Sequence, residues 1–205
     1  MQHTLFTSHI YQSQLGSGTS QLIRELLLEI TPLQESDSNG IAWSKKNYPG
    51  GYTSYGSIDE LHKTSSTFEF LKKAIDKHVR NYLKILEYDI TASSLKMNSC
   101  WVNVMPTGTS HTMHIHPLSV ISGTFYVDVP KNASCIRFED PRLLQFMAAP
   151  PRKKNSKIFN RQFVEIQPKS GDVILFESWM KHEVPRNTSA KKRISISFNY
   201  DWVKK

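Results

Sequence analysis

The chain has 205 residues, of which 39% are hydrophobic and 21% are charged, and its formal net charge is +8. This length suits one well-cored domain, and the composition excludes a disordered or fibrous protein. The basic residues are dispersed instead of forming one patch, which argues against a nucleic-acid partner. We expect a single domain over residues 1–205, with helical support and a lid-like loop in residues 1–90 and a β-rich core in residues 91–205.

The two cysteines, Cys100 and Cys135, form no CxxC motif. This usage predicts a cytoplasmic protein without disulfide bonds. No window approaches about 18 consecutive apolar residues, and the first ten residues lack the pattern of a signal peptide, so we expect no membrane partner. A homodimer is compatible with the sequence.

The first half of the chain contains two helical patterns separated by a polar stretch. Residues 20–30 are rich in helix formers and are followed by Thr31-Pro32, which predicts a short helix that stops there. Residues 34–57 combine turn chemistry with aromatic residues and predict a long loop that could act as a lid. Between residues 65 and 86, apolar residues recur at three- and four-residue steps, which predicts an amphipathic helix capped by Ser66 or Thr67.

The second half has the pattern of short strands separated by Pro- and Gly-containing turns. The predicted strands cover residues 95–104, 122–129, 135–138, 162–167, 172–176 and 193–200. Helices followed by many strands indicate a mainly β protein of the α+β class, a sandwich or barrel buttressed by N-terminal helices.

Three histidines form the pattern of a metal site. His114 and His116 are two residues apart, so in a strand both would point to the same face. His182 would have to join them from a distant strand, which is how the open facial triads of non-haem iron oxygenases are assembled. His111 precedes the pair by three residues and is a rival ligand. Each histidine alone could also be an ordinary surface or core residue.

Three motifs in this order resemble the 2-oxoglutarate and Fe(II)-dependent oxygenases. They are HIHPLSVISGTFY at residues 114–126, GDVILFESWMKH at residues 171–182 and RISISFN at residues 193–199. The similarity covers roughly residues 98–202 and, weakly, residues 5–11. It is greatest to a branch of bacterial and phage members with His-x-His-Pro and Ser-Gly-x-x-Tyr patterns.

This resemblance implies a double-stranded β-helix (a jelly-roll or cupin-like barrel) in which His114 and His182 bind the iron. His116 stands where the family usually has Asp or Glu, and we expect it to be the third ligand. His111, Asp128 and Glu183 remain alternatives, although Glu183 should face the opposite side of the strand from His182. Asp128 should share the face of Tyr126 and could instead orient a ligand.

The resemblance also implies a site for the cosubstrate. Arg193 matches the basic residue that grips the distal carboxylate of 2-oxoglutarate, for which the planar guanidinium is well suited. Tyr126 matches a tyrosine that reaches the same carboxylate, and Ser195 and Asn103 could add hydrogen bonds. Other side chains that could line the pocket are Trp101, Trp179, Phe138 and Met113. The stretch 43–55 and the basic loop 152–161 are expected to frame its entrance.

The implied reaction uses Fe(II), 2-oxoglutarate and O2 and couples oxidative decarboxylation of the cosubstrate to hydroxylation of a substrate. The sequence does not identify this substrate, which could be a small molecule or a protein side chain. Three other functions stay open: a cupin-type metal enzyme or binding protein, a zinc hydrolase, and a non-catalytic basic module that binds nucleic acid. The first lacks the usual cupin glutamate after the histidine pair, and the second lacks a convincing general base.

Overall fold

The computed structural model describes residues 1–203 and contains three α-helices, four short 3-10 helices and ten strands in this part of the chain. The helices are α1 (Thr19–Ser36), α2 (Ser38–Asn47) and α3 (Ser66–Leu86). The strands are β1 (Tyr11–Gln14), β2 (Tyr52–Thr53), β3 (Leu95–Met105), β4 (His111–His114), β5 (Ile121–Asp128), β6 (Ile136–Glu139), β7 (Phe163–Ile166), β8 (Asp172–Glu177), β9 (His182–Val184) and β10 (Arg193–Trp202). No helix within residues 1–203 is long and apolar enough to span a membrane.

The strands form two antiparallel sheets that face each other. The larger sheet has six strands in the order β1-β8-β5-β10-β3-β2, and the smaller has four in the order β4-β9-β6-β7. Side chains of both sheets meet in a buried cluster that includes Tyr126 and Phe176 from the larger sheet and Phe138 from the smaller one. The predicted fold class, mainly β with N-terminal helices in a double-stranded β-helix, is confirmed.

The two faces of β10 contact different parts of the protein because side chains alternate along a strand. Ile194, Ile196 and Phe198 point outward into the largest core cluster, where they join the apolar faces of α1 and α3. The residues between them point toward the smaller sheet. The helices therefore cover one face of the larger sheet and leave its other face free to build a polar pocket.

The predicted end of the first helix at Pro32 is wrong, because α1 continues to Ser36. Pro32 cannot donate to the carbonyl of Leu28, but Leu28 is exposed, so water can bind that oxygen. The burial of Leu22, Leu26 and Ile30 stabilises the helix on both sides of the missing hydrogen bond. In α3, Ser65 forms the cap instead of Ser66 or Thr67, since its side chain accepts a hydrogen bond from the Phe68 amide.

The loop predicted for residues 34–57 is also partly wrong, because α2 and β2 lie within it. Asp37 begins α2, and its carboxylate accepts hydrogen bonds from the Gly40 amide, the Tyr52 hydroxyl and the Ser57 hydroxyl. These tertiary contacts fix a segment whose Ser, Asn and Gly residues are poor helix formers. Residues 34–57 are thus a folded segment with regular secondary structure and not the long lid-like loop that the sequence predicts.

Candidate metal and cosubstrate site

His114, His116 and His182 lie together and could hold a metal ion. One ring nitrogen from each lies within 4.8 Å of the others. His114 ends β4 and pairs directly with His182, the first residue of β9. His116 lies beyond the end of β4, and its amide donates to the Ser178 carbonyl at 3.0 Å. The expectation that one strand carries both His114 and His116 is therefore wrong, although the two side chains do converge.

In each of the three histidine rings, the Nδ1 atom forms a hydrogen bond with a nearby oxygen atom. Nδ1 of His114 lies 2.6 Å from the Thr112 carbonyl, and Nδ1 of His182 lies 2.8 Å from the Met180 carbonyl. Carbonyl oxygens only accept, so both Nδ1 atoms carry the proton. Nδ1 of His116 donates to the Asn199 side-chain oxygen at 2.6 Å. Each histidine therefore offers the lone pair of Nε2 to an ion, which is the usual arrangement around protein-bound metals.

Burial keeps the rings of His116 and His182 neutral near pH 7. Desolvation lowers the pKa of His116 to about 4 and the pKa of His182 to about 3. The neighbouring histidines lower both further, and hydrogen bonds to Asn199 and Met180 act in the opposite direction. A metal ion would not have to displace protons from them at neutral pH.

Arg193 lies at the other end of the same pocket and is only 2% exposed. Its guanidinium carbon lies 4.9 Å from the centre of the Tyr126 ring. Within residues 1–203 no carboxylate forms an ion pair with Arg193, and its Nε atom, the Tyr126 hydroxyl and the Asn103 side-chain oxygen have no hydrogen-bond partner. Buried polar atoms are rarely left unpaired, and the Arg193 Nε–H and the Tyr126 hydroxyl are donors, so these two groups are prepared for a ligand that carries a negative charge, whereas the Asn103 oxygen can only accept.

The inward face of β10 connects the two ends of the pocket. Arg193, Ser195, Ser197 and Asn199 all line it. Tyr126 on β5 and Asn103 on β3 both pair with Ser195, and the Asn103 amide donates to the Ser197 hydroxyl at 3.0 Å. The four sequence-predicted cosubstrate residues are therefore brought together.

Asn199 is a candidate site residue that the sequence motifs do not single out. Its side-chain oxygen also accepts a hydrogen bond from Ser122 at 2.8 Å, and its amide donates to Ser99 at 3.1 Å. These contacts fix the orientation of the amide that binds His116. The period of two along β10, counted from Arg193, is the signal that could have identified it.

The alternative ligands lie elsewhere. His111 stacks on Tyr48 with ring centres 4.1 Å apart and lines the pocket outside the three-histidine group. Glu183 forms an ion pair with Arg137. Asp128 pairs with Ile194 while Tyr126 pairs with Ser195, so the extra residue between them reverses the alternation of faces. The prediction that Asp128 shares the face of Tyr126 is therefore wrong.

The pocket is a cavity of about 310 Å³. Trp43, Tyr48, Tyr55 and Trp101 line it, as expected for the 43–55 stretch and for Trp101, whereas no Asp or Glu of residues 1–203 does. Trp179, Phe138 and Met113 are not among its lining residues. The basic loop does not line it either: residues 158–161 border a second cavity together with the N-terminal segment and Arg142.

The donor set fits the cofactors that the motifs imply. Neutral imidazole is a good ligand for Fe(II), and three such ligands leave coordination positions open for other molecules. The unpaired Arg193, with Tyr126 beside it, suits a carboxylate such as the distal one of 2-oxoglutarate.

Comparison with known proteins agrees with this fit. Residues 99–199 match the sequence model of the family described as "Putative 2OG-Fe(II) oxygenase". None of the curated proteins matches the sequence.

Several solved structures share the fold. A Pseudomonas putida prolyl-4-hydroxylase is 16% identical, with 96% of this chain and 94% of that chain covered and a TM-score of 0.63. The α-ketoglutarate-dependent epimerase SnoN from nogalamycin biosynthesis is 15% identical, with 96% and 82% covered and a TM-score of 0.65. HygX from Streptomyces hygroscopicus, solved with nickel and 2-oxoglutarate, is 12% identical, with 95% and 83% covered and a TM-score of 0.61. The motifs, the family match over residues 99–199 and the fold agree, and together they support the assignment of the chain to the superfamily of 2-oxoglutarate and Fe(II)-dependent oxygenases.

Proposed function

We propose that the protein is a hydroxylase of this superfamily that acts on a small molecule or a protein side chain. In this proposal His114, His116 and His182 hold Fe(II) through their Nε2 atoms. Arg193 binds the distal carboxylate of 2-oxoglutarate, and Tyr126, Ser195 and Asn103 support that contact. The dispersed basic residues make nucleic acid a poor candidate for the substrate.

The observation that carries the proposal is that Arg193 is buried without a carboxylate partner among the described residues. A buried guanidinium without a carboxylate partner is costly, because its desolvation is not offset by an ion pair. The protein keeps this cation in a pocket that contains three converging imidazoles and, in the described part of the chain, no acidic side chain. An anionic ligand that also binds a metal offsets this cost, and 2-oxoglutarate has both properties.

The residues of the chain have separate tasks in this reaction. The bound Fe(II) supplies the activation of O2 that accompanies oxidative decarboxylation of the cosubstrate. The three imidazoles hold the ion without adding charge, and their Nδ1 contacts fix the ring orientations. Arg193 orients the cosubstrate, and the apolar rings of Phe176 and Phe138 shield His182 from water.

Formation of succinate from 2-oxoglutarate, measured with Fe(II), ascorbate and air, tests the proposal. We expect turnover in the wild type and its loss in His182→Ala. Arg193→Gln should weaken 2-oxoglutarate binding by about 100-fold or more, because a desolvated charge pair is removed. The exposed Arg24→Gln is the matched control and should change neither quantity. If Fe(II) binds but 2-oxoglutarate neither binds nor turns over, the proposal is wrong.

We further propose that the protein works in the reducing cytoplasm. Cys100, which is buried, and Cys135 are both free thiols, and a protein of an oxidising compartment more often uses its cysteines in disulfides.

A further inference from the structure

Three aromatic side chains form one wall of the pocket beside His116. They are Trp43 from α2, Tyr55 from the segment after β2, and Trp101 from β3, and we call them the aromatic wall. Ring centres lie 5.9 Å apart for Trp43 and Tyr55, 5.0 Å for Tyr55 and Trp101, and 6.1 Å for Trp101 and His116. The wall therefore extends from the mouth of the pocket to a candidate metal ligand.

The surrounding backbone holds the aromatic wall in place. A side-chain carbon at Gly56 would overlap the Trp43 indole, so the chain packs directly on that ring. Trp101 is only 7% exposed, while Tyr55 is 49% exposed and lies at the mouth. Rings that are fixed before a ligand arrives lose little conformational entropy on binding.

The aromatic wall is separate from the end of the pocket that contains Arg193. Trp101 pairs with Ser197, four residues along β10 from Arg193. At the rise of an extended strand these positions are about 13 Å apart. A cosubstrate that reaches from Arg193 toward the histidines therefore leaves the rings uncovered.

The charge of the pocket decides between two ligands that aromatic rings could bind. Aromatic rings attract cations, and cages of such rings recognise quaternary ammonium groups. Here Arg193 and a divalent metal ion carry three positive charges and the two carboxylates of 2-oxoglutarate offset two of them, so the loaded pocket stays positive, and no Asp or Glu of the described chain lines it. Coulomb repulsion in a partly desolvated site exceeds the attraction of a cation to a ring at comparable distances. The wall therefore favours an uncharged group.

We propose that Trp43, Tyr55 and Trp101 form the substrate subsite and that this subsite takes an uncharged ring of the substrate. The inference rests on the proposed function, which supplies the metal and the cosubstrate. The cavity of about 310 Å³ is at the small end of ligand pockets. Once 2-oxoglutarate is bound, it admits one ring-sized group, and the rest of the substrate stays at the mouth beside Tyr55.

A pair of nearly isosteric probes tests the subsite. The protein is loaded anaerobically with Fe(II) and 2-oxoglutarate, and binding of 2-oxoglutarate is measured first by calorimetry. Neutral benzamide and cationic benzamidine are then titrated separately, with ligand-detected NMR and tryptophan fluorescence as readouts. We expect benzamide to bind at least about tenfold more tightly than benzamidine, because the cation is repelled.

Variants locate the binding. Trp43→Leu and the half-exposed Tyr55→Leu should each weaken benzamide binding about three- to tenfold, as expected for the loss of one stacking partner. Each variant should still bind 2-oxoglutarate like the wild type, which shows that it is folded. Trp179→Leu is the control, since Trp179 is 47% exposed and does not line the pocket, and it should leave benzamide affinity unchanged.

The outcomes separate the subsite from the proposed function. Equal or tighter binding of benzamidine, no binding of benzamide, or unchanged affinity in both wall variants would overturn the subsite even if 2-oxoglutarate binds. Benzamide binding that depends on Trp43 and Tyr55 supports the subsite even if 2-oxoglutarate fails to bind, and that failure would count against the proposed function alone.

Discussion

Asn199 and His116 are 83 residues apart in the chain, and the Asn199 side-chain oxygen accepts the Nδ1 proton of His116 at 2.6 Å. The contact joins the inward face of β10 to the turn after β4, and so joins the larger sheet to the histidine group. Because Ser122 and Ser99 bind the same amide, its oxygen is presented to His116 in one orientation.

We predict that Asn199→Ala weakens Fe(II) binding by about 10- to 100-fold, the usual effect of removing the partner of a metal-bound histidine. Anaerobic calorimetric titration with Fe(II) measures this. Asn81→Ala is the control, because Asn81 is exposed on α3 and does not line the pocket. Unchanged affinity in Asn199→Ala would mean that His116 does not bind the metal or is oriented by another group.

Replacing Tyr126 by Phe should have opposite effects on ligand binding and on stability. The buried Tyr126 hydroxyl makes no well-formed hydrogen bond among the described residues, and burial raises the pKa of this phenol despite the opposing charge and the weak hydrogen-bonding contact of Arg193. Tyr126→Phe should weaken 2-oxoglutarate binding by up to about tenfold, the value of one hydrogen bond. The free energy of unfolding of the ligand-free protein should stay the same or rise, since an unsatisfied buried group is removed.

Tyr200→Phe is the comparison for Tyr126→Phe, because it removes a buried hydroxyl that does have a partner. The Tyr200 hydroxyl donates to Asp76 on α3 at 2.6 Å, away from the pocket. Its loss should destabilise the protein by about 1.5–3 kcal/mol and leave 2-oxoglutarate affinity unchanged. Urea denaturation and calorimetry measure the two quantities in both variants. Equal destabilisation by the two substitutions would show that the Tyr126 hydroxyl has a structural partner.

Much of the site follows from the sequence because it depends on local periodicity. The face shared by Arg193 and Ser195 can be counted along one strand, and the distant His182 follows from its motif. Two errors arise where periodicity breaks. His116 lies after the end of β4, and one extra residue in β5 turns Asp128 away from the face of Tyr126. Bulges and strand ends depend on pairing partners elsewhere in the chain, which the sequence does not display.

The helix α2 was missed for a different reason. Residues 38–47 have no strong helical period and contain weak helix formers, so local preference predicts a loop. The helix α2 is stabilised by Tyr52 and Ser57, whose hydroxyls both donate to the Asp37 carboxylate across the segment. Tertiary contacts of this kind override the weak helix preference of residues 38–47. They also fix the positions of Trp43 and Tyr48 in the pocket.

Asp37→Ala should therefore destabilise the protein by about 3 kcal/mol, more than the roughly 1 kcal/mol of an ordinary helix cap. The reason is that it removes the acceptor of three donors, of which Ser57 has a second acceptor in the Ser54 carbonyl. Urea denaturation measures the change, and Ser65→Ala is the control because Ser65 caps α3 through the Phe68 amide. An equal loss in the two variants would reduce the role of Asp37 to capping.

The metal-free protein should lose stability as the pH falls below about 6.5, the ordinary pKa of an unfolded histidine. Burial lowers the pKa of His111 to about 3, of His116 to about 4 and of His182 to about 3. Between these values and about 6.5 the unfolded chain binds protons that the folded chain does not, so acid favours unfolding. Their contribution is fully present above about pH 6.5 and is lost as the pH falls toward their folded pKa values.

Thermal unfolding of chelator-treated protein between about pH 7.5 and about pH 5, a range that runs from above the ordinary histidine pKa of about 6.5 into the window below it, measures this dependence. We expect the melting temperature to fall less steeply with acid in His111→Gln, because one of these groups is removed. The exposed His3→Gln is the control and should keep the wild-type slope. Identical slopes in wild type and His111→Gln would show that His111 is protonated in the folded protein, contrary to its burial against Tyr48.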